Sequence, residues 1–236
     1  FEVAAIFTFV YYNNINYTSY YRDGRCFICK HGEYGVLNRW GVEQVPCEYN
    51  SLRYNDREHP EFLYAQRGNA KGIIDLHGNV IIPFEYNYLE PMEDTNLFEV
   101  GQHGKYGLVE RDGTPVLPCA YDNLSRWHDT RLIQITQGDL DGLITPDGEV
   151  VLPCRYIFAK QDKTGLTKIN EGGWVDDDHK IRGGRWGVID KEGNIVLGCN
   201  FEKISINSEE IRTEADGHIS YYDLRGNYQY GLKDWH

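Results

Sequence analysis

The sequence predicts an all-β fold built from about six copies of one repeat, and three observations predict it. First, "GKYGLVERDGTPVLPCAYDNLS" (104–125) falls into register with "GRWGVIDKEGNIVLGCNFEKIS" (184–205). Further copies are "EYGVLNRWGVEQVPCEYNSL" (33–52), "AKGIIDLHGNVIIPFEYNYL" (70–89) and "LDGLITPDGEVVLPCRYIFA" (140–159), with a degenerate sixth, "HISYYDLRGNYQY" (218–230). Second, most copies place a turn signal between two short apolar runs rich in β-branched residues. Third, no segment carries apolar residues at the helical period.

Each repeat opens with a run such as Ile73-Ile74 or Val188-Ile189, read as an alternating strand. The turn follows as Asp-x-x-Gly at Asp75–Gly78, Asp190–Gly193 and Asp223–Gly226, and as Asp-Gly at Asp112-Gly113 and Asp147-Gly148. An Asp side chain bonds its own backbone there and Gly supplies positive φ, so the two runs form a hairpin. The aromatic-Gly entrance, as in Trp186-Gly187, predicts a close backbone approach beneath a ring. Pro-x-x-Tyr comes next, at Pro46/Tyr49, Pro83/Tyr86, Pro118/Tyr121 and Pro153/Tyr156. Proline cannot donate to a ladder, so it is expected to end the strand. A third strand closes most repeats ("LFEVGQ", "LIQITQ", "FLYAQR", "RCFICK"), giving a three-stranded meander. The chain reads as one domain, 1–236, with repeats near 32–67, 68–102, 103–137, 138–183 and 184–214, flanked by partial copies at 1–31 and 215–236.

The ends supply complementary halves of a repeat. "YNNI" at Tyr12–Ile15 matches "YDNL" at Tyr121–Leu124, and the C-terminal "HISYYDLRGNYQYGL" is a hairpin half. That favours a closed, propeller-like toroid, which leaves few strand edges unpaired; an open twisted array is the alternative.

The recurring aromatic-Gly-[Val/Ile/Leu]-[Ile/Val]-Asp-x-x-Gly-x-x-[Val/Ile]-[Ile/Leu]-Pro-x-x-Tyr resembles the WG (KWG-type) β-repeat family over residues 32–226. Five copies make the likeness specific. The signature Trp stands at Trp186; Tyr34 and Tyr106 replace it in two copies, and Lys71 and Asp141 in two others. The resemblance implies architecture rather than one chemistry, and it implies a bacterial protein.

Composition narrows the partners. The 236 residues are 41% hydrophobic and 25% charged with a formal net charge of −12, ordinary for a soluble globular chain. That field repels a nucleic-acid backbone and is better matched to a basic protein or peptide. No apolar run reaches the roughly 18 residues of a membrane span. The first residues, "FEVAAIFTFVYY", are apolar but carry Glu2 and no basic flank, so they do not read as a signal peptide. The chain begins without Met, as a trimmed chain or a piece of a longer one would.

Four cysteines share one repeat position: Cys47, Cys119, Cys154 and Cys199, with Phe84 in the remaining copy. A position that accepts Cys or Phe is an apolar packing site, so these are read as buried, reduced core thiols. Cys26 and Cys29 form a lone Cys-x-x-Cys on an alternating strand, facing opposite sides, with no second pair for zinc. Unpaired thiols point to a reducing, cytoplasmic setting, and no metal or cofactor is expected. His31 and His103 precede the first glycine of their repeats and read as turn residues; His77 sits in a hairpin turn, and His59, His128 and His179 in loops. Asp75, Asp190 and Asp223 read as turn caps rather than calcium ligands.

One segment breaks the period. Turn glycines Gly41, Gly78, Gly113, Gly148 and Gly193 are spaced 37, 35, 35 and 45 residues apart, and the excess lies in "NEGGWVDDDHKIRGG" (170–184). Insertions in repeat arrays map to loops, often on a binding face. The candidate site is therefore this loop, with Trp174 as anchor and Asp176, Asp177 and Asp178 as an acidic rim. "RYNDREHPEF" (53–62) is a second, weaker irregular loop.

Two functional classes follow. The first is a non-catalytic protein or peptide interaction module, serving as a scaffold or a toxin-neutralising partner. The second is a hydrolase acting on glycans or phosphoesters through carboxylates at the axis of a β-toroid. No catalytic motif accompanies the second.

Overall fold

The computed structural model describes residues 17–22, 24–54, 61–92, 95–126 and 132–233. Among these, twenty-four strands form six four-stranded antiparallel sheets, each a simple meander, and no helix occurs. The first sheet holds β1 (Tyr17–Arg22), β2 (Arg25–Lys30), β3 (Glu33–Asn38) and β4 (Glu43–Tyr49). The second holds β5 (Ser51–Tyr54), β6 (Phe62–Arg67), β7 (Ala70–Asp75) and β8 (Val80–Tyr86). The third holds β9 (Tyr88–Pro91), β10 (Leu97–Gln102), β11 (Lys105–Glu110) and β12 (Pro115–Tyr121). The fourth holds β13 (Asn123–Arg126), β14 (Ile133–Gln137), β15 (Leu140–Ile144) and β16 (Val150–Tyr156). The fifth holds β17 (Phe158–Gln161), β18 (Thr167–Val175), β19 (Ile181–Ile189) and β20 (Ile195–Phe201). The sixth holds β21 (Lys203–Ile206), β22 (Glu210–Ala215), β23 (His218–Asp223) and β24 (Tyr228–Lys233). The chain divides into two compact units, one running to Gly104 with Leu108–Cys119 added, the other comprising Lys105–Gly107 and the chain from Ala120 onward.

The repeat thus has four strands, not three. The extra strand is the four-residue segment after the Tyr motif, such as Ser51–Tyr54, and it starts the next sheet. The residue following the Tyr makes the transfer: Asn50 N–H donates to the Gln66 carbonyl at 2.8 Å, and Glu202 N–H to the Glu214 carbonyl at 2.8 Å. Four residues are too few to show a period, which is why the strand is hidden in the sequence.

Proline does not end its strand. Pro46, Pro83, Pro118 and Pro153 lie inside β4, β8, β12 and β16, each the edge strand of its sheet. An edge strand leaves half its N–H groups unpaired, so a missing donor there costs nothing. The register also slips at this place, between Lys71 and Ile73 against Tyr86 and Ile82, and between Trp186 and Val188 against Phe201 and Leu197. The same slip lies opposite Pro46-Cys47 (Tyr34 and Val36 against Tyr49 and Val45) and Pro153-Cys154 (Asp141 and Leu143 against Tyr156 and Leu152), where the bulge accommodates the Pro-Cys step.

The aromatic-Gly entrance stands opposite the bulge. A Cβ on Gly35 would lie 2.6 Å from the Val45 carbonyl oxygen and 2.9 Å from Cys47 Sγ, and one on Gly187 2.8 Å from the Leu197 oxygen. The close approach is real: at Gly35 and Gly187 it is to a neighbouring carbonyl and thiol, and at Gly72 to the Ile82 carbonyl and the Phe84 ring.

The opening run of each repeat is buried on both faces rather than alternating. Ile73 and Ile74 are both fully buried, as are Val188 and Ile189. Their side chains point to opposite faces and each face meets another sheet: Ile74 packs with Phe27, Val36 and Val45, whereas Ile73 packs with Leu89, Phe98 and Val100. In the second compact unit Ile189 joins Leu143 and Leu152, and Val188 joins Ile204 and Ile211. A strand sandwiched this way reads as a continuous apolar run, and each such residue contributes about 1.5–3 kcal/mol.

Turn glycines serve twice. Gly113 and Gly193 have φ of 89° and 85°, the left-handed region that suits glycine. Each also abuts the edge strand of the preceding sheet: a Cβ on Gly113 would overlap the Ile81 carbonyl oxygen, and one on Gly193 would lie 2.8 Å from that of Val151.

The shared thiols are half-buried rather than fully buried. Cys47, Cys119, Cys154 and Cys199 are free and lie at the bulge on the edge strand, where solvent reaches one side. Cys119 Sγ donates to the Val100 carbonyl (3.6 Å) and Cys154 Sγ to that of Ile135 (3.7 Å). Desolvation raises all four thiol pKa values, that of Cys47 to about 11, which keeps them protonated and unreactive. The N-terminal half-repeat with Tyr12 that the sequence pairs with the C-terminal hairpin lies outside the described residues, as do His59 and His128.

Candidate functional site

The period-breaking segment is a strand pair, not a loop. In the other sheets the second and third strands meet in a two-residue turn. Lys30 pairs with Glu33 around His31-Gly32, Arg67 with Ala70 around Gly68-Asn69, and Ala215 with His218 around Asp216-Gly217. His31 (φ 55°) and His103 (φ 54°) are the turn residues the sequence predicts. In the fifth sheet the corresponding pair is Glu171 and Arg185, and residues 172–184 stand where two would suffice. The ladder continues through Gly173–Gly183, Trp174–Arg182 and Val175–Ile181, so β18 and β19 grow to nine residues each.

Four glycines join this extension to the body. Gly172, Gly183 and Gly184 have φ of 77°, 62° and 65°. The buried Asn170 sits beneath them, its Nδ2 donating to the Gly183 carbonyl at 3.3 Å. A Cβ on Gly173 or Gly184 would lie 2.5 Å from Asn170 Oδ1. At Gly183 and Gly184 glycine is required by close packing as well as by φ, at Gly173 by packing and at Gly172 by φ.

The tip repeats the turn chemistry of the body. Asp75 Oδ1 accepts the N–H groups of His77 (2.8 Å) and Asn79 (2.9 Å), and Asp190 Oδ1 those of Glu192 (3.0 Å) and Asn194 (2.8 Å). Asp176 Oδ1 accepts those of Asp178 (3.0 Å) and Lys180 (2.8 Å) in the same way, and its Oδ2 accepts Arg182 Nε at 2.6 Å. The Lys180 N–H and the Arg182 guanidinium hold the Asp176 carboxyl below its ordinary pKa. His179, at φ 58°, takes the place of the turn glycine.

The four sequence-predicted residues therefore separate. Trp174 is 58% exposed and lies across Gly183, where a Cβ would overlap its ring. Asp176 is committed to the turn and to Arg182, so it is not part of a free acidic rim. Asp177 and Asp178 remain exposed, with Lys180 Nζ 3.7 Å from Asp178. In the second irregular segment, residues 55–60 lie outside the described residues.

Sequence reasoning missed the base of the extension. Ile181, Arg182, Gly183 and Gly184 form one wall of an open concavity of about 540 Å³; Glu202, Lys203 and Ile204 form another, with Lys168 and Trp186 also lining it. Lys168 Nζ lies 4.6 Å from the Trp186 ring centre and 5.7 Å from that of Phe158. Nothing in a single strand's pattern marks Lys168; comparison with its repeat equivalents does. Among the described residues no three His, Cys, Asp or Glu side chains gather into a metal-sized cluster. Asp141, at the signature Trp position, has its carboxyl pKa raised by burial, and it is answered by Thr136 Oγ1 (3.1 Å) and Ala159 N–H (3.3 Å).

The model of the "WG containing repeat" family matches residues 72–106, 106–129 and 186–211. The chain carries WG repeats. No curated protein matches the sequence. Among solved structures, this WG-repeat chain is similar to Kluyveromyces lactis Hsv2 at 13% identity and TM-score 0.28, covering 77% of this chain and 62% of that one. It is similar to apo AztD from Citrobacter koseri at 14% identity and TM-score 0.34, covering 93% and 71%. A eukaryotic initiation factor gives 10% identity and TM-score 0.34, covering 92% and 76%. The chain spans under two thirds of the length of the Hsv2 structures it matches. At these scores the likenesses assign neither an activity nor an arrangement of the sheets.

Proposed function

We propose that this protein is a non-catalytic module that binds another protein or a peptide, with the β18–β19 extension as its contact element. The observation that carries this reading is Trp174. It is a large apolar side chain left 58% exposed, on a segment that the repeat does not need. An exposed Trp supplies much of the binding energy of a small patch. The paired strands and the Asp176 turn hold it in place beforehand, so little entropy is lost on contact. Asp177 and Asp178 at the tip, with a net charge of −12 over the chain, favour a basic partner whose association slows as salt rises. A cytoplasmic scaffold or toxin-neutralising role is the biological form this reading takes. The closed ring suggested by the complementary ends of the sequence belongs to the same proposal, and solution scattering on the intact protein tests it.

The binding test uses the intact protein as bait in native extract. Its comparison forms are Trp174→Ala and a variant with residues 172–184 replaced by His-Gly, the turn of the first sheet. A partner lost by both variants supports the reading. A partner retained by both places the contact elsewhere on the repeats.

A further inference from the structure

The groove at the base of the extension holds one cation, Lys168, that has no ion-pair partner among the described residues. Each other charged side chain lining it has a partner. Arg182 is held by Asp176 at 2.6 Å, Lys203 by Glu214 at 2.8 Å, and Glu202 by Arg185 at 3.6 Å. Lys168 has no carboxylate within ion-pair distance among the described residues. Its contacts are the faces of Trp186 and Phe158, which attract a cation but neutralise nothing. Desolvation, with Lys160 adding to it, lowers its pKa from the ordinary lysine value, and Asp162, which makes no ion pair with it, only partly offsets that. The position does not demand a cation. In the same register, opposite the first apolar residue after the aromatic-Gly pair, other sheets carry Phe27, Tyr64 and Gln134. A half-buried ammonium without a counter-charge is a local cost to folding, and such costs concentrate at functional positions.

We propose that this groove binds a carboxylate carried on an apolar or aromatic body, with Lys168 as the charge partner and Trp186, Ile181 and Ile204 as the apolar walls. The acid completes the ion pair that Lys168 lacks, in surroundings partly shielded from water, where a charge-assisted hydrogen bond is stronger than at an open surface. Glu202 does not block it, because Arg185 answers that charge. The site is separate from the exposed face of Trp174, and it takes a ligand of sign opposite to that favoured by the tip.

The test follows the Trp186 indole N–H by NMR in the intact protein, its signal assigned from Trp186→Phe. Benzoate is the free probe, and a blocked Phe-Glu-Phe peptide is the peptide-borne one. Benzamide and a blocked Phe-Gln-Phe peptide are the uncharged controls. Saturable shifts with either acid, at least about tenfold weaker in Lys168→Gln and in the matching control, support the proposal, since a hydrogen bond to a charged group is lost. Lys168→Arg should retain binding. Which acid binds tells whether the carboxylate is free or peptide-borne. Lys168→Gln installs the side chain that the fourth sheet uses, so its melting temperature should be equal or higher. No shift with either acid, or equal affinity in Lys168→Gln, overturns the proposal.

Discussion

The second sheet and the fifth sheet differ at one place, and the difference separates what the repeat requires from what has been added to it. In the second, β6 and β7 turn at Gly68-Asn69 and the chain returns at once to the core. In the fifth, the same pair of strands runs on through residues 172–184. The core residues are unaffected: Ile169, Val188 and Ile189 are as buried as Leu63, Ile73 and Ile74. A hairpin whose register is already set by its buried pairs can be lengthened at the turn, because the added residues pair with each other and not with the body. The tip also uses the body's turn, with Asp176 in the role of Asp190 but His179 in place of the glycine.

The glycines give the sharpest break of this comparison. Gly113→Ala combines a left-handed φ with overlap on the Ile81 carbonyl, and should destabilise by about 2–5 kcal/mol in chemical denaturation. Gly172→Ala has no atom within 4 Å of the new Cβ and should cost only about 1 kcal/mol of backbone strain. Equal costs would mean that the extension is part of the packed body after all.

Thiols come next. Cys154→Ser puts a shorter hydroxyl at the half-buried bulge, losing the 3.7 Å thiol contact to the Ile135 carbonyl while solvent on the open side answers the hydroxyl, so the loss should be about 1 kcal/mol with binding unchanged. A loss several times larger would make the position core, as the sequence suggests.

Excising the extension should matter less still to stability. Replacing residues 172–184 with His-Gly should change the unfolding free energy by under about 1 kcal/mol, while partner capture disappears. Removing Gly172–Lys180 alone is a different experiment, because it deletes half of a ladder and leaves Ile181–Gly183 unpaired. Unfolding of the His-Gly variant would show that Asn170 and its glycines brace the sheet.

The smallest effect is in acid. At Asp75 and Asp190 partial burial raises the carboxyl pKa, but hydrogen bonds from Asn79 and Asn194 and from the turn N–H groups outweigh it, so the net shift is downward. A carboxylate with a lowered folded pKa contributes stability above its unfolded pKa of about 3.9, lost as pH falls through the folded value. Asp190→Asn should therefore lower neutral stability slightly, flatten the acid limb below about pH 4 and converge with the unsubstituted protein in strong acid. An unaltered acid limb would remove the Asp190 carboxylate from the turn's account.

The sequence by itself determined the all-β class, the repeat, the Asp turns and the place of the addition. Each of these depends on residues close together in the chain: Asp75 with Asn79, or Gly78 with its own φ. Tertiary structure decided the rest. The short strand Ser51–Tyr54 exists because Asn50 hands the chain to a ladder whose partner, Gln66, is sixteen residues away. Pro83 stays inside its strand because that strand has an edge, a property of the sheet and not of the segment. Ile73 and Ile74 are both buried because sheets lie on both sides, which no alternation within one strand can reveal. Asp176 reads as a free acid in "VDDDHK" and becomes a turn cap bound to Arg182 only once β18 and β19 pair. Lys168 is one lysine among the 24 basic residues of the sequence until folding sets it over Trp186 without an ion-pair partner among the described residues. Charge in a sequence is a count, and only the fold decides which charges are answered.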